Sequence, residues 1–96
     1  MRTVYLVAYD IRDDKRLRKV YKAMRGYGDH LQLSVFRCEL SDRERVEMKA
    51  ELSELISHTQ DQVLIIDIGP VDGRGSQTFE SLGIPYSAPE RHAVVV

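Results

Sequence analysis

Ninety-six residues carrying 14 Lys or Arg against 15 Asp or Glu, with 43 % hydrophobic content, suit one globular domain and exclude a chain that is basic throughout or disordered by composition. The single cysteine, Cys38, excludes an internal disulfide and a CxxC metal or redox site, and it reads as a small buried residue in a reducing cytoplasm. No run approaches the roughly 18 apolar residues that span a bilayer, and Met1-Arg2 leads straight into a strand without a cleavage site, so the expectation is a cytoplasmic chain with neither membrane contact nor signal peptide.

The first element is Val4-Tyr5-Leu6-Val7-Ala8-Tyr9-Asp10, a short apolar run of the kind that forms a strand buried on both faces. It delivers one carboxylate, Asp10, to its C-terminal tip just before a helix. That placement suits a metal ligand or a catalytic group, and equally a turn former that hydrogen-bonds to nearby backbone; position alone leaves both open. Asp13 or Asp14 can cap the helix that follows and favour its positive end. Leu17, Val20, Tyr21 and Met24 give that helix one apolar stripe, and Gly26-Tyr27-Gly28 ends it. Lys15, Arg18, Lys19, Lys22 and Arg25 fall on the far side. Such a face is either a solvated surface or an anion-binding one, and the lack of balancing acids favours the second.

From Leu31 to Leu40 apolar residues alternate on odd numbers up to Val35 and on even numbers from Phe36. The phase change requires a bulge or a very tight hairpin near Leu33-Ser34. Ser41-Asp42-Arg43-Glu44 is a capping box that opens a second helix, with Met48, Leu52, Leu55 and Ile56 as its buried stripe. Charge is segregated between the helices, because residues 41–61 hold Arg43, Arg45 and Lys49 against Asp42, Glu44, Glu47, Glu51, Glu54 and Asp61. Gln62-Val63-Leu64-Ile65-Ile66-Asp67-Ile68 is a second apolar strand, also read as buried on both sides and ended by Gly69-Pro70. The glycine-rich stretch after it lacks the spacing of a phosphate-cradling Walker loop. Gln77-Thr78-Phe79 suits a last short strand, and residues 83–96 read as a tail to a core of about 2–80.

The order strand, helix, one or two strands, helix, strand gives an α+β sandwich with two helices on one face of a mainly antiparallel sheet. Two helices cover only one face, yet the first and last strands are apolar on both. The uncovered face needs a partner, and a second copy related by a two-fold axis is the simplest one.

Tyr9-Asp10-Ile11, the charged Asp13-Asp14-Lys15-Arg16 and Gln32-Leu33-Ser34-Val35-Phe36, in this order and spacing, resemble the Cas-two family of CRISPR-associated proteins over residues 2 to 80. The resemblance implies a ferredoxin-like βαββαβ sandwich, with the phase change resolved as a hairpin, and an extra C-terminal strand at residues 77–79 added to the partner's sheet in a sheet-to-sheet homodimer. It implies a CRISPR adaptation protein that binds DNA or RNA and bridges two copies of the Cas-one integrase in spacer acquisition. Members are described as Mg²⁺-dependent endonucleases on RNA or duplex DNA, with Mn²⁺ as an alternative ion. Asp10 would then be both metal ligand and catalytic residue, one from each protomer. Arg12, Lys15, Arg16, Arg18, Lys19, Lys22 and His30 are the expected nucleic-acid contacts, with Tyr9 and Phe36 either positioning bases or packing in the core. His30 stands where members often carry Arg, Leu17 where some carry Arg, and Arg37 where an acidic or small residue is frequent. The competing readings are a non-catalytic DNA-bridging scaffold, a ribonuclease toxin of the VapD type and, less favoured, a small ligand-sensing module.

Overall fold

The computed structural model of the chain describes residues 1–73 and 80–84. Six elements follow one another: β1 (Thr3–Asp10), α1 (Asp14–Met24), β2 (Gly28–Gln32), β3 (Val35–Leu40), α2 (Asp42–Leu55) and β4 (Gln62–Pro70). The strands form one antiparallel sheet in the order β2-β3-β1-β4. This is the ferredoxin-like βαββαβ arrangement. The expected strand at residues 77–79 and the tail beyond residue 84 lie outside the described residues.

Local chemistry accounts for both helix starts. The Asp13 side chain accepts from the Arg16 amide at 2.9 Å and caps α1. The α2 capping box is complete: Ser41 Oγ accepts from the Glu44 amide at 3.2 Å, and Glu44 Oε1 accepts from the Ser41 amide at 2.8 Å. Helix α1 stops without a left-handed glycine, since its C-cap is Arg25 in right-handed helical conformation. Gly28 is needed for a different reason. It pairs with Cys38, and a Cβ there would sit 2.5 Å from both the Arg37 carbonyl oxygen and Cys38 Sγ.

Both alternatives at the phase change are realised. Leu33 and Ser34 form a two-residue turn between β2 and β3, and the register slips between His30 and Gln32. A second irregularity faces Val4 and Tyr5, where β4 carries an extra residue beside Gly69 at φ 127°.

The core lies between sheet and helices. Tyr5, Val7 and Tyr9 of β1 meet Phe36, Cys38 and Leu40 of β3, Val20 and Met24 of α1, and Met48 and Leu52 of α2. Burial pushes the Cys38 thiol up to about 12, so it stays protonated at physiological pH. The other face of the sheet is formed by Val4, Leu6 and Ala8, their register partners Val35, Arg37 and Glu39 on β3, and Leu64 and Ile66 on β4. Here one expectation is corrected. β4 is not buried on both sides within one chain: Val63 and Ile65 pack on the core, whereas Leu64 and Ile66 are 48 % and 45 % exposed.

Candidate nucleic-acid interface and strand-end carboxylate

Asp10 is the last residue of β1 and is exposed. The strand's alternation puts Tyr5, Val7 and Tyr9 under the helices, so Asp10 belongs with Leu6 and Ala8 on the open face. It faces Gln62, the first residue of β4. Its carboxylate makes no hydrogen bond or ion pair with any described residue. One open carboxylate suits Mg²⁺, which takes one or two such ligands and keeps several waters. Among the described residues no group of three His, Cys, Asp or Glu converges on a point.

The turn after Asp10 is built on a residue that the sequence pattern does not single out. Asp61, in the link from α2 to β4, accepts from the Arg12 amide at 2.9 Å, from the Ser57 amide at 2.7 Å and from Arg16 Nε at 2.8 Å. Its side chain has no exposed surface. The Arg16 guanidinium, with the two backbone amides, holds the Asp61 carboxyl well below the usual carboxylate range despite its burial. Its main side-chain partner is 45 residues away. No local periodicity or cap rule points to it.

The basic residues divide into two groups. Arg12, Lys15, Arg18, Lys19 and Lys22 are exposed, as is Arg25. Arg16 is half-buried and bound to Asp61, with Nη2 also donating to Gln60 Oε1 at 3.1 Å. Since α1 packs on the core face, its basic outer surface and the Asp10 side chain belong to opposite layers. Arg12 and Lys15 are nearest to Asp10 in the chain, while Lys22 stands about 10 Å further along the helix axis than Lys15. His30 is exposed on the helix side of β2, with its ring edge-on to Tyr21 at 5.3 Å and 5.1 Å from Phe36.

Tyr9 and Phe36 are core residues, 5 % and 0 % exposed, with ring centroids 6.2 Å apart. Neither offers a ring face to solvent for a base to stack on, so of the two readings of these rings, core packing is the one observed. The Tyr9 hydroxyl is buried without a hydrogen-bond partner among the described residues, and burial pushes its phenol up. A groove of 390 Å³ between α2 and β4, lined by Tyr5, Asp42, Arg45, Lys49, Ile65 and Asp67, is away from Asp10 and mixes both signs of charge.

The chain is a ferredoxin-like α+β domain with Leu64 and Ile66 exposed on its open sheet face, an exposed carboxylate at the end of β1 and a basic helix on the opposite layer. The family model described as CRISPR associated protein Cas2 matches residues 1–72. The chain is 45 % identical over 92 residues to the CRISPR-associated endoribonuclease Cas2 1 of Rhodospirillum rubrum, covering 96 % of this chain and 89 % of that protein. It is 40 % identical over 96 residues to the CRISPR-associated endoribonuclease Cas2 of Geobacter sulfurreducens, across the full length of both. The crystal structure of the hypothetical protein TT1823 from Thermus thermophilus matches with a TM-score of 0.77 at 34 % identity, covering 91 % of this chain and 98 % of that one. The chain belongs to the Cas2 family. No helix among the described residues is long and apolar enough to cross a membrane.

Proposed function

We propose that the chain acts as a sheet-to-sheet homodimer that binds nucleic acid in CRISPR adaptation and cleaves phosphodiester bonds in RNA or duplex DNA with Mg²⁺ held by Asp10 of both protomers. The observation that carries this reading is an exposed Asp10 carboxylate, without a partner among the described residues, at the end of a sheet face whose edge strand exposes Leu64 and Ile66. The relatives named as endoribonucleases support phosphodiester chemistry. Pairing two open faces places two strand-end carboxylates near one axis and removes Leu64 and Ile66 from water.

In this arrangement Arg12 and Lys15 hold phosphates beside the strand end, and Arg18, Lys19 and Lys22 extend the contact along α1. Mg²⁺ held by Asp10 would supply charge neutralisation at a phosphodiester and an acidified water. Asp10 provides the negative charge that fixes the ion. No described group near Asp10 serves as a dedicated general base, since the acceptor oxygens of Asp61 are occupied and Asp13 caps α1. Turnover is therefore slow.

The deciding experiment compares wild type and Asp10→Asn, purified in parallel, on RNA, single-stranded DNA and duplex DNA with Mg²⁺ or Mn²⁺. Asp10→Asn abolishes cleavage while the dimer stays intact. Full activity in that variant removes Asp10 from the reaction. The shortage of acids near Asp10 favours a second reading, a non-catalytic dimer that bridges DNA and the Cas-one integrase; absence of metal-dependent cleavage in wild type, with DNA binding retained, selects it.

A further inference from the structure

Four donor contacts converge on the Asp61 carboxylate from three separate parts of the chain. Oδ1 accepts from the Arg12 amide at 2.9 Å and from Arg16 Nη2 at 3.2 Å; Oδ2 accepts from Arg16 Nε at 2.8 Å and from the Ser57 amide at 2.7 Å. A carboxylate offers about four acceptor positions, so this one is saturated. With no exposed surface it cannot itself bind an ion or a substrate proton.

Its place in the register gives it a different task. Arg12 is two residues beyond Asp10, and Gln62, next to Asp61 in the chain, is the cross-strand partner of Asp10. The backbone carrying Asp10 is thus fixed sideways by pairing with β4 and fixed ahead by the Arg12 amide. Both restraints end on the same two residues, Asp61 and Gln62. Arg16 ties the first turn of α1 to the same point, and Ser57 ties the link that follows α2.

We propose that Asp61 is the positioning residue of the Asp10 site: it sets the direction in which β1 presents its terminal carboxylate. This rests on the reading of Asp10 as a metal ligand. A brace that acts only on stability would loosen the whole fold and leave the ligand's metal affinity unchanged. A positioning residue alters that affinity at temperatures where the variant is fully folded.

The test is a Mn²⁺ titration of the purified dimer followed by electron paramagnetic resonance, with melting temperatures measured alongside. Wild type, Asp10→Asn, Asp61→Asn, Arg16→Gln and Ser41→Ala are compared. Ser41→Ala breaks the α2 cap, far along the chain from Asp10, and lowers the melting temperature with an unchanged Mn²⁺ midpoint. Asp61→Asn places an amide donor against existing donors and raises the midpoint about tenfold, the lower end for partners that orient a metal ligand. Arg16→Gln keeps both backbone bonds to Asp61 and gives a smaller rise; it carries the test if Asp61→Asn does not fold. A wild-type midpoint in the folded variants, or an equal shift in Ser41→Ala, overturns the proposal. If wild type and Asp10→Asn take up Mn²⁺ alike, the Asp10 reading fails first, and Asp61 then has no ligand to position.

Discussion

Two carboxylates separated by one register step carry opposite assignments because their surroundings differ. Asp10 ends its strand in solvent with no described partner, whereas Asp61 has given both oxygens to the protein. The second arrangement has a measurable pH signature. The Arg16 guanidinium, followed by the Arg12 and Ser57 amides, lowers the Asp61 pKa in the folded chain, and the Ser41 amide does the same for Glu44. A folded-state pKa below the unfolded value near about 4 contributes stability that is present above that pH and lost as pH falls further. The urea midpoint is therefore expected to hold level near neutrality and to drop below about pH 4. Asp61→Asn is less stable at neutral pH and shows a shallower acid slope. An identical slope in both proteins would show that Asp61 is not the group being titrated.

Among the elements, α1 carries the chain's basic surface, and its exposed side chains behave as a group. Lys15, Arg18, Lys19 and Lys22 face solvent without an ion-pair partner among the described residues, while Arg16 turns inward to Asp61. Replacing Arg18, Lys19 and Lys22 by Glu, with Arg16 kept, should weaken duplex binding and reduce the log–log salt slope by about 0.9 per lost phosphate contact. An unchanged slope would move the contact surface off this helix. Element-level features were readable in the sequence where their causes are local. The Ser41–Glu44 box, the Asp13 cap and the Leu17-Val20-Tyr21-Met24 stripe each lie within about two turns of helix. The parity change at Val35-Phe36 also announced itself, and the structure answers it with a turn and a register slip together. Arg16 could not be separated from its basic neighbours, because that distinction depends on a residue 45 positions away. Gly28 was legible only as a helix stop, while its actual constraint is the close approach of β3.

For the whole molecule, the open sheet face is the surface on which the proposed homodimer rests. The apolar content of β1 and β4 exceeded what two helices can cover, and this excess was visible before any fold was known. Its distribution was not. Exposure is concentrated on Leu64 and Ile66, on the edge strand, while Val4 in the centre is fully buried. Placing a charge at Ile66 by Ile66→Glu would put an uncompensated carboxylate into the proposed interface. Light scattering coupled to size-exclusion chromatography should then report a monomer at micromolar concentration, with a dimer expected for wild type. A variant that remains dimeric would place the contact elsewhere.

The central position of β1 has a consequence for synthesis. Strand β1, ahead of both its partners in chain order, pairs with Leu40 on one side and with Pro70 on the other, both at Thr3. Its second flank stays bare until translation has passed β4, and a nascent chain halted before Gln62 presents an apolar strand with an unfilled edge. Shortening from the far end is accordingly limited by β4: cuts before Gln62 remove it and leave a product prone to stick to its neighbours.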